Sequence, residues 1–440
     1  MKMPGSYYDD LTDSELAGEV DALETQVDQI KARGLSLNMA RGKPCPEQLE
    51  LSTPMLDVLG SGSSLFASDG TDCRNYGCLM GIPEARELFG QIMGVPADRV
   101  FVGGESSLTL MHDVISHGMV HGIAGCEPWL LQAQRAPLKW ICLVPGYDRH
   151  FAITEYFGFE LVSVALRDDG PDMDEVERLV ADPTVKGMWC VPMYSNPSGI
   201  VYSDEAVARI AALRPAAPDF RVMWDNAYCE HHLYDDHPTL ANVFDACEAA
   251  GNPDLVYEFC STSKITLPGA GVSAMAASPA NLADLKAQLT VQMIGHDKLN
   301  QLRHVRFLRD VDGVHEHMRR QAQVLRPRFE LVDRRLTQGL ADLRVATWSR
   351  PRGGYFVMFN GPEGSAKAIV SLAGECGVKL TGAGATWPHH DDPRDSDIRI
   401  APSFPSLEEL DEALDVFVTC VKLVCARLAV ASRGTGADER

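Results

Sequence analysis

One lysine is set apart by its surroundings. Lys264 lies in "EFCSTSKITLPGAG", among small polar residues, between an apolar run and a Pro-Gly-Ala-Gly turn. Burial or a nearby cation lowers the pKa of a lysine, and a neutral amine attacks carbonyls, so Lys264 is a candidate Schiff-base residue. The alternative is a solvated surface charge, the commonest fate of a lysine. Other chemistry-bearing residues also sit just after apolar runs. Asp225, in "RVMWDNAYCEHH", is a carboxylate that is costly to bury unless paired. It could face a protonated ring nitrogen or cap the next helix. Tyr228 follows three residues on. Asn196, in "MWCVPMYSNPSG", precedes a proline that restricts its backbone. Its amide could donate to a ligand oxygen or simply mark a turn. Tyr147, in "ICLVPGYDRHF", could stack on a flat ring or fill core. Ser106 and Ser107 follow "VFVGGE" at the start of a helix. Free N–H groups and hydroxyls there could hold a phosphate, or the serines could be an ordinary cap.

Taken together, these residues describe one ligand. It has an aromatic ring, a basic ring nitrogen, an oxygen substituent, a phosphate and an aldehyde. Pyridoxal 5′-phosphate has all five.

The positioning elements follow from the apolar pattern. Seven short runs, at 100–102, 140–144, 161–166, 187–191, 221–224, 255–259 and 272–277, alternate with helix-compatible segments such as "MDEVERLVAD" and "DEAVARIAALR". Alternation of this kind predicts an α/β fold, a mainly parallel seven-stranded sheet with helices on both faces. Ligands of such sheets bind beyond the carboxyl ends of the strands. Ahead of the sheet, a helix is predicted from about Asp13 to Arg33, with Thr12 and Glu15 at capping-box spacing and Gly34 as its stop. After about residue 320 come a long charged helix, "GGYFVMF", "DIRIAP" and a last helix opened by a second capping box, Ser406 and Glu409. The expected division is an arm and part of a small domain at 1–60, a large α/β domain at 61–320, a small α+β domain at 321–430, and a disordered tail at 431–440.

Composition excludes some classes. With 61 acidic and 40 basic residues the formal net charge is -21, which argues against nucleic acid and against an anionic membrane surface. Twelve cysteines, scattered and without a CxxC pair, fit a reducing cytoplasm better than a disulfide framework. The start of the sequence reads as neither a signal nor a transit peptide, and no stretch is long and apolar enough to span a membrane. "CEHHLYDDH" and "PHHDD" contain metal-ligand residues but lack zinc-site spacing, so no metal is expected.

With these motifs in view, the sequence resembles the class I aminotransferases, fold type I of the pyridoxal-phosphate enzymes. It is most similar to a bacterial aspartate aminotransferase subgroup with a "TSK-T-PGAG" lysine segment. "SNPSG", "D-AY", "S-SK" and "IRIAP" occur in the family's order over roughly residues 30 to 420. The resemblance implies that Lys264 binds the cofactor covalently, that Asp225 faces the ring nitrogen, that Asn196 and Tyr228 donate to the phenolic oxygen, and that Tyr147 stacks on the ring. It implies phosphate contacts from Ser106, Ser107 and Ser261. Tyr76, in "RNYGCLMG", corresponds to a tyrosine that reaches the neighbouring subunit's phosphate, which implies a homodimer with shared active sites. Arg399 corresponds to the arginine that grips the substrate α-carboxylate as a bidentate fork; its alternative is a salt bridge to Asp397. Gly42 falls where the family brings backbone close to substrate. The chain departs from the family where Val272 replaces an arginine that contacts the phosphate. Lys298 and Arg303 are candidates for a distal substrate carboxylate, or simply a charged helix face. The implied reaction is ping-pong amino transfer between aspartate or glutamate and a 2-oxo acid. A lyase on the same scaffold, aminocyclopropane-carboxylate synthase-like or cleaving carbon–sulfur bonds, and a non-enzymatic effector-sensing module are the alternatives.

Overall fold

All seven apolar runs form strands of one sheet in the computed structural model, which describes residues 5–435. A two-residue strand β1 (Leu37–Asn38) precedes them. The sheet then comprises β2 (Val100–Val102), β3 (Lys139–Val144), β4 (Glu160–Arg167), β5 (Gly170–Pro171), β6 (Val185–Cys190), β7 (Arg221–Asp225), β8 (Val256–Ser261) and β9 (Ser273–Ala277). Their spatial order is β2-β9-β8-β7-β6-β3-β4-β5. The central pairs β4–β3, β3–β6, β6–β7 and β7–β8 are parallel, whereas β9 runs antiparallel to both β8 and β2. The count is therefore eight rather than the expected seven. The extra strand, β5, is a two-residue antiparallel edge. It is too short to carry an apolar period, and proline is tolerated at an edge.

The near-continuous apolar runs are explained by burial on both faces. One face presents Ile141, Met188, Val222 and Val256 to helices Pro83–Met93 and Asp204–Ala211. The other presents Trp140, Trp189, Met223 and Tyr257 to helices Ser107–His121 and Pro279–Gln292.

A second core is assembled from both chain ends. Strands β10 (Thr347–Trp348), β11 (Val357–Asn360) and β13 (Asp397–Ile400) form an antiparallel sheet, while β12 (Val378–Lys379) pairs in parallel with β1. Helix Asp13–Ala32 lays Leu16, Leu23 and Val27 into this core with the apolar face of helix Leu407–Thr435. Both expected capping boxes form. Thr12 N–H donates to Glu15 Oε2 at 2.8 Å, and Ser406 N–H donates to Glu409 Oε2 at 3.0 Å. Helix Val311–Leu340 starts earlier than its charged stretch suggested, because the Asp310 side chain caps it at Gly313 N–H. Its first turns enter the large core through Val314 and Met318, and its remainder enters the second core. The final helix runs to Thr435, so the stretch expected to be disordered from 431 begins as helix; 436–440 lie outside the described residues. Among the described residues, no helix is long and apolar enough to cross a membrane.

Candidate active site

Parallel strands put their carboxyl ends on one edge, and this brings together residues far apart in sequence. Asp225 is the last residue of β7, Lys264 lies three residues beyond β8, Tyr147 three beyond β3, and Asn196 six beyond β6.

The lysine turn is tightly bonded. Thr262 N–H donates to Val272 O at 2.8 Å, and Val272 N–H returns to Thr262 Oγ1 at 2.9 Å. Ile265 and Thr266 N–H both bond to Thr262 O. Val272 is buried, and its side chain belongs to the large core. A long cation at that position would have to leave the core, so this fold holds the turn with an apolar anchor. Lys264 Nζ lies 4.9 Å from the centre of the Tyr228 ring. Burial lowers the lysine pKa below its ordinary range, and Asp225 opposes that shift.

Asp225 is 4% exposed. One oxygen, Oδ2, bonds to His150 Nε2 at 2.9 Å, and the other, Oδ1, is buried without a partner. The His150 ring stacks on Trp189 at 4.5 Å and 12° and meets the Tyr147 ring edge-on. The sequence reading missed His150. Its signal was local: in "GYDRHF" it lies on the first turn of helix Asp148–Tyr156, on the face turned to the sheet. Tyr147 caps that helix, and burial pushes its phenol up to about 12.

Arg399 comes from β13, across from the sheet edge. Its Nη1 donates to Asn196 Oδ1 at 3.2 Å and lies 3.7 Å from Asp148 Oδ1, while Nη2 reaches Thr381 Oγ1 at 3.4 Å. Its Nε is buried without a partner. The suggested bridge to Asp397 does not form, because that carboxylate accepts from Trp387 Nε1 and Asn360 Nδ2. The Arg399 guanidinium lies over the Phe356 ring, 4.7 Å from its centre. A Cβ at Gly42 would sit 2.3 Å from Phe356 Cζ. Glycine there therefore makes room for the ring that floors Arg399.

The serines join the glycine turn to the lysine turn. Ser261 Oγ donates to Ser263 Oγ at 3.2 Å, and Ser263 Oγ donates to Glu105 O at 3.2 Å. Ser106 precedes helix Ser107–His121, but its side chain makes no capping bond, so its hydroxyl is not doing the ordinary cap's work.

Three predicted residues are not gathered here. Tyr76 is 83% exposed. Lys298 is buried and donates to Gly77 O at 3.0 Å, bracing the loop that carries Tyr76. Arg303 bonds to Asn300 Oδ1, and Asn300 Nδ2 in turn donates to Ala270 O and Gly271 O of the Pro-Gly-Ala-Gly turn. No hydrogen bond or ion pair joins Lys298 or Arg303 to Lys264, Asn196 or Arg399 among the described residues. The histidine-rich stretches make pairs instead of a centre. His232 stacks on His237, Glu230 pairs with His315, and His389 pairs with Glu155. No three such side chains converge on a metal position among the described residues.

Comparison with known proteins identifies the family. A family model described as aspartate amino-transferase matches residues 11–433. An aspartate aminotransferase of Corynebacterium glutamicum is 45% identical over 405 residues, covering 92% of this chain and 93% of that protein. The crystal structure of an aspartate transaminase from the same species superposes with a TM-score of 0.93 at 43% identity, over 97% of this chain and 99% of that one. A multiple substrate aminotransferase from Thermococcus profundus shares the fold, with a TM-score of 0.73 at 19% identity over 92% and 95% of the two chains. The chain belongs to the aspartate amino-transferase family and is an aminotransferase.

Proposed function

We propose that this member of the family moves an amino group between aspartate or glutamate and a 2-oxo acid, with pyridoxal 5′-phosphate as cofactor. The observation that carries the reading is a set of unmet bonds. Asp225 Oδ1 and Arg399 Nε are both buried and unpartnered, one an acceptor and one a donor, with the Lys264 amine nearby. Buried polar atoms without partners are rare and costly. A cationic ring nitrogen would satisfy the carboxylate, and a substrate carboxylate would satisfy the guanidinium. The donor set therefore fits the cofactor.

When bound, that group supplies an aldehyde for the amine and a ring that withdraws electrons from the substrate α-carbon. The chain's own residues do the rest. Lys264 Nζ, whose pKa burial lowers, takes up and returns the α-proton as general base and acid. Asp225, bonded to His150, would hold the ring nitrogen and keep it protonated. Asn196 accepts from Arg399 through Oδ1, which leaves its Nδ2 to donate to a ligand oxygen. Tyr228 is a second donor, and Tyr147 covers the ring. Ser106, Ser107 and Ser261 hold the phosphate with the turn's N–H groups. Arg399 orients the substrate through its α-carboxylate, over a floor built by Phe356 and Gly42.

Tyr76 belongs to this reading only in a homodimer, where its exposed ring would serve the other copy's site. The same reading treats residues 61–320 as the cofactor domain and the chain ends as the domain that brings Arg399. A dicarboxylic substrate is supported by the relative named aspartate aminotransferase. Lys298 and Arg303 remain the proposed candidates for the distal carboxylate.

The test is spectroscopic. The purified chain, reconstituted with pyridoxal 5′-phosphate, is expected to show a visible band that borohydride abolishes, leaving the reduced label on Lys264. A panel of amino acids then ranks substrates by how fast each removes the band. Failure to reconstitute would sink the cofactor assignment. A ranking led by aromatic or neutral amino acids would sink the dicarboxylic one.

A further inference from the structure

Beneath the lysine turn lies a buried polar cluster that the reaction does not use directly. Its members are Gln48, Ser52, His317, Gln321 and Tyr355, each no more than 1% exposed. They come from three separate stretches of chain, and their bonds end on two consecutive carbonyls, those of Lys264 and Ile265. His317 Nε2 donates to Ile265 O at 2.8 Å, and Gln321 Nε2 donates to the same oxygen at 3.2 Å. Gln48 Nε2 donates to Gln321 Oε1 at 2.9 Å and to Tyr355 Oη at 3.0 Å. The Tyr355 hydroxyl reaches Lys264 O at 3.5 Å. Ser52 Oγ lies 3.2 Å from His317 Nε2.

Two neighbours in sequence give the cluster its meaning. Tyr355 directly precedes Phe356, whose ring lies under Arg399. Gln48 lies six residues beyond Gly42, which packs against that same ring. The elements that carry the floor of Arg399 thus also hold the lysine's main chain from below.

We infer that the Gln48–Gln321–Tyr355–His317 cluster is a positioning device that sets Lys264 through its main chain and couples it to the floor of Arg399. The inference rests on the reading of Lys264 as the reacting amine. A polar cluster serves a fold poorly as mere filler. Apolar residues of the same shape would pack there without needing every donor matched. What the hydrogen bonds add is direction, since they fix carbonyl orientation and with it the path of the next side chain. Burial lowers the His317 pKa, and Nε2 acts as the donor because its partner, Ile265 O, can only accept.

The test uses the holoenzyme with Gln321→Met, which keeps shape and removes the polar atoms, and Tyr355→Phe, which removes one hydroxyl. Gln321→Met is expected to lower kcat about 10- to 100-fold, as small misplacement of a reacting group does. KM should stay within roughly threefold, because the cluster reaches Arg399 only indirectly, through its floor. The pH midpoint of the lysine-bound cofactor band should move, and borohydride capture at Lys264 should slow. Tyr355→Phe should show the same pattern at about three- to tenfold. Combining Gln48→Leu with Gln321→Met should cost no more than the larger single change, because both break one chain of bonds. Folded variants with the wild-type kcat and midpoint would overturn the inference; if Gln321→Met does not fold, Tyr355→Phe decides alone. Absence of the borohydride label in the wild type would overturn the functional reading and this inference with it. A normal wild-type label with unchanged variants overturns this inference only.

Discussion

The turn that carries Lys264 and the loop that carries Tyr76 stand at opposite extremes of completeness. In the turn, Thr262 and Val272 close a two-way rung, and the carbonyls of Lys264 and Ile265 are met from below. In the loop, the Tyr76 ring projects into solvent, while Asp72, Asn75 and Lys298 brace the main chain. Both matched the same family pattern in sequence. The difference is that one region is finished by its own chain and the other is not. In the proposed homodimer, the second copy would cover the Tyr76 ring.

If the turn is self-sufficient, its variants should fail at every protein concentration. Lys264→Ala is expected to lower kcat by on the order of 10³-fold or more. Turnover measured across a hundredfold range of enzyme concentration checks that the loss is constant; recovery at high concentration would break the contrast. Arg399→Lys keeps the charge and loses the fork. It should raise KM for amino and oxo acid alike by about 30-fold, with kcat changed less. Steady-state kinetics with both substrate classes reads this directly. The loop predicts the reverse dependence. Tyr76→Phe should weaken cofactor retention by about three- to tenfold, the worth of one hydrogen bond to a charged group. The weakening should disappear at dilutions where the wild type is already monomeric, as sedimentation measured alongside cofactor release would reveal.

The smallest effect concerns the strand beneath the turn. Burial pushes the Glu258 carboxyl on β8 from an ordinary 4.5 up to about 8, with an Asn226 hydrogen bond working against the shift. The folded chain therefore keeps a proton between those two values that the unfolded chain has lost. That contribution to stability is complete below about pH 4.5 and is lost as pH rises through about 8. Glu258→Gln, which mimics the protonated form, should melt like wild type at pH 5 and about 1–3 °C higher at pH 9. Equal melting shifts at both pH values would contradict this.

What could be read from the sequence was what depends on near neighbours. Asp225, Lys264, Tyr147 and Asn196 were legible because a strand ends just before each, and the sheet's parallel order does the gathering. The capping boxes at Thr12 and Ser406 were legible for the same reason. His150 was not, because its role depends on which face of a short helix meets Trp189. The alternative partner offered for Arg399 shows how sequence distance differs from distance in space. Asp397, two residues away, is occupied by Trp387 and Asn360, whereas Asp148, 251 positions earlier, lies beside the guanidinium. Gln48 and Gln321 were invisible as a pair, since neither has any partner within its own stretch. The fifth strand of the chain was missed because two residues carry no period.

The parallel pairing of Leu37–Asn38 with Val378–Lys379 has a consequence for how the protein is made. Strands β2 to β9 are all encoded within residues 100–277, so the large sheet can close while the ribosome is still translating. Helix Asp13–Ala32 precedes that sheet in the chain, yet the helix that covers its apolar face ends at Thr435. It must wait with that face unprotected until the sheet and the strands of the second core have been made. Thr381 and Arg399 also arrive after the sheet. Asp225 and Lys264 thus stand on the part made early, and under the proposed function the arginine that orients the substrate joins them late.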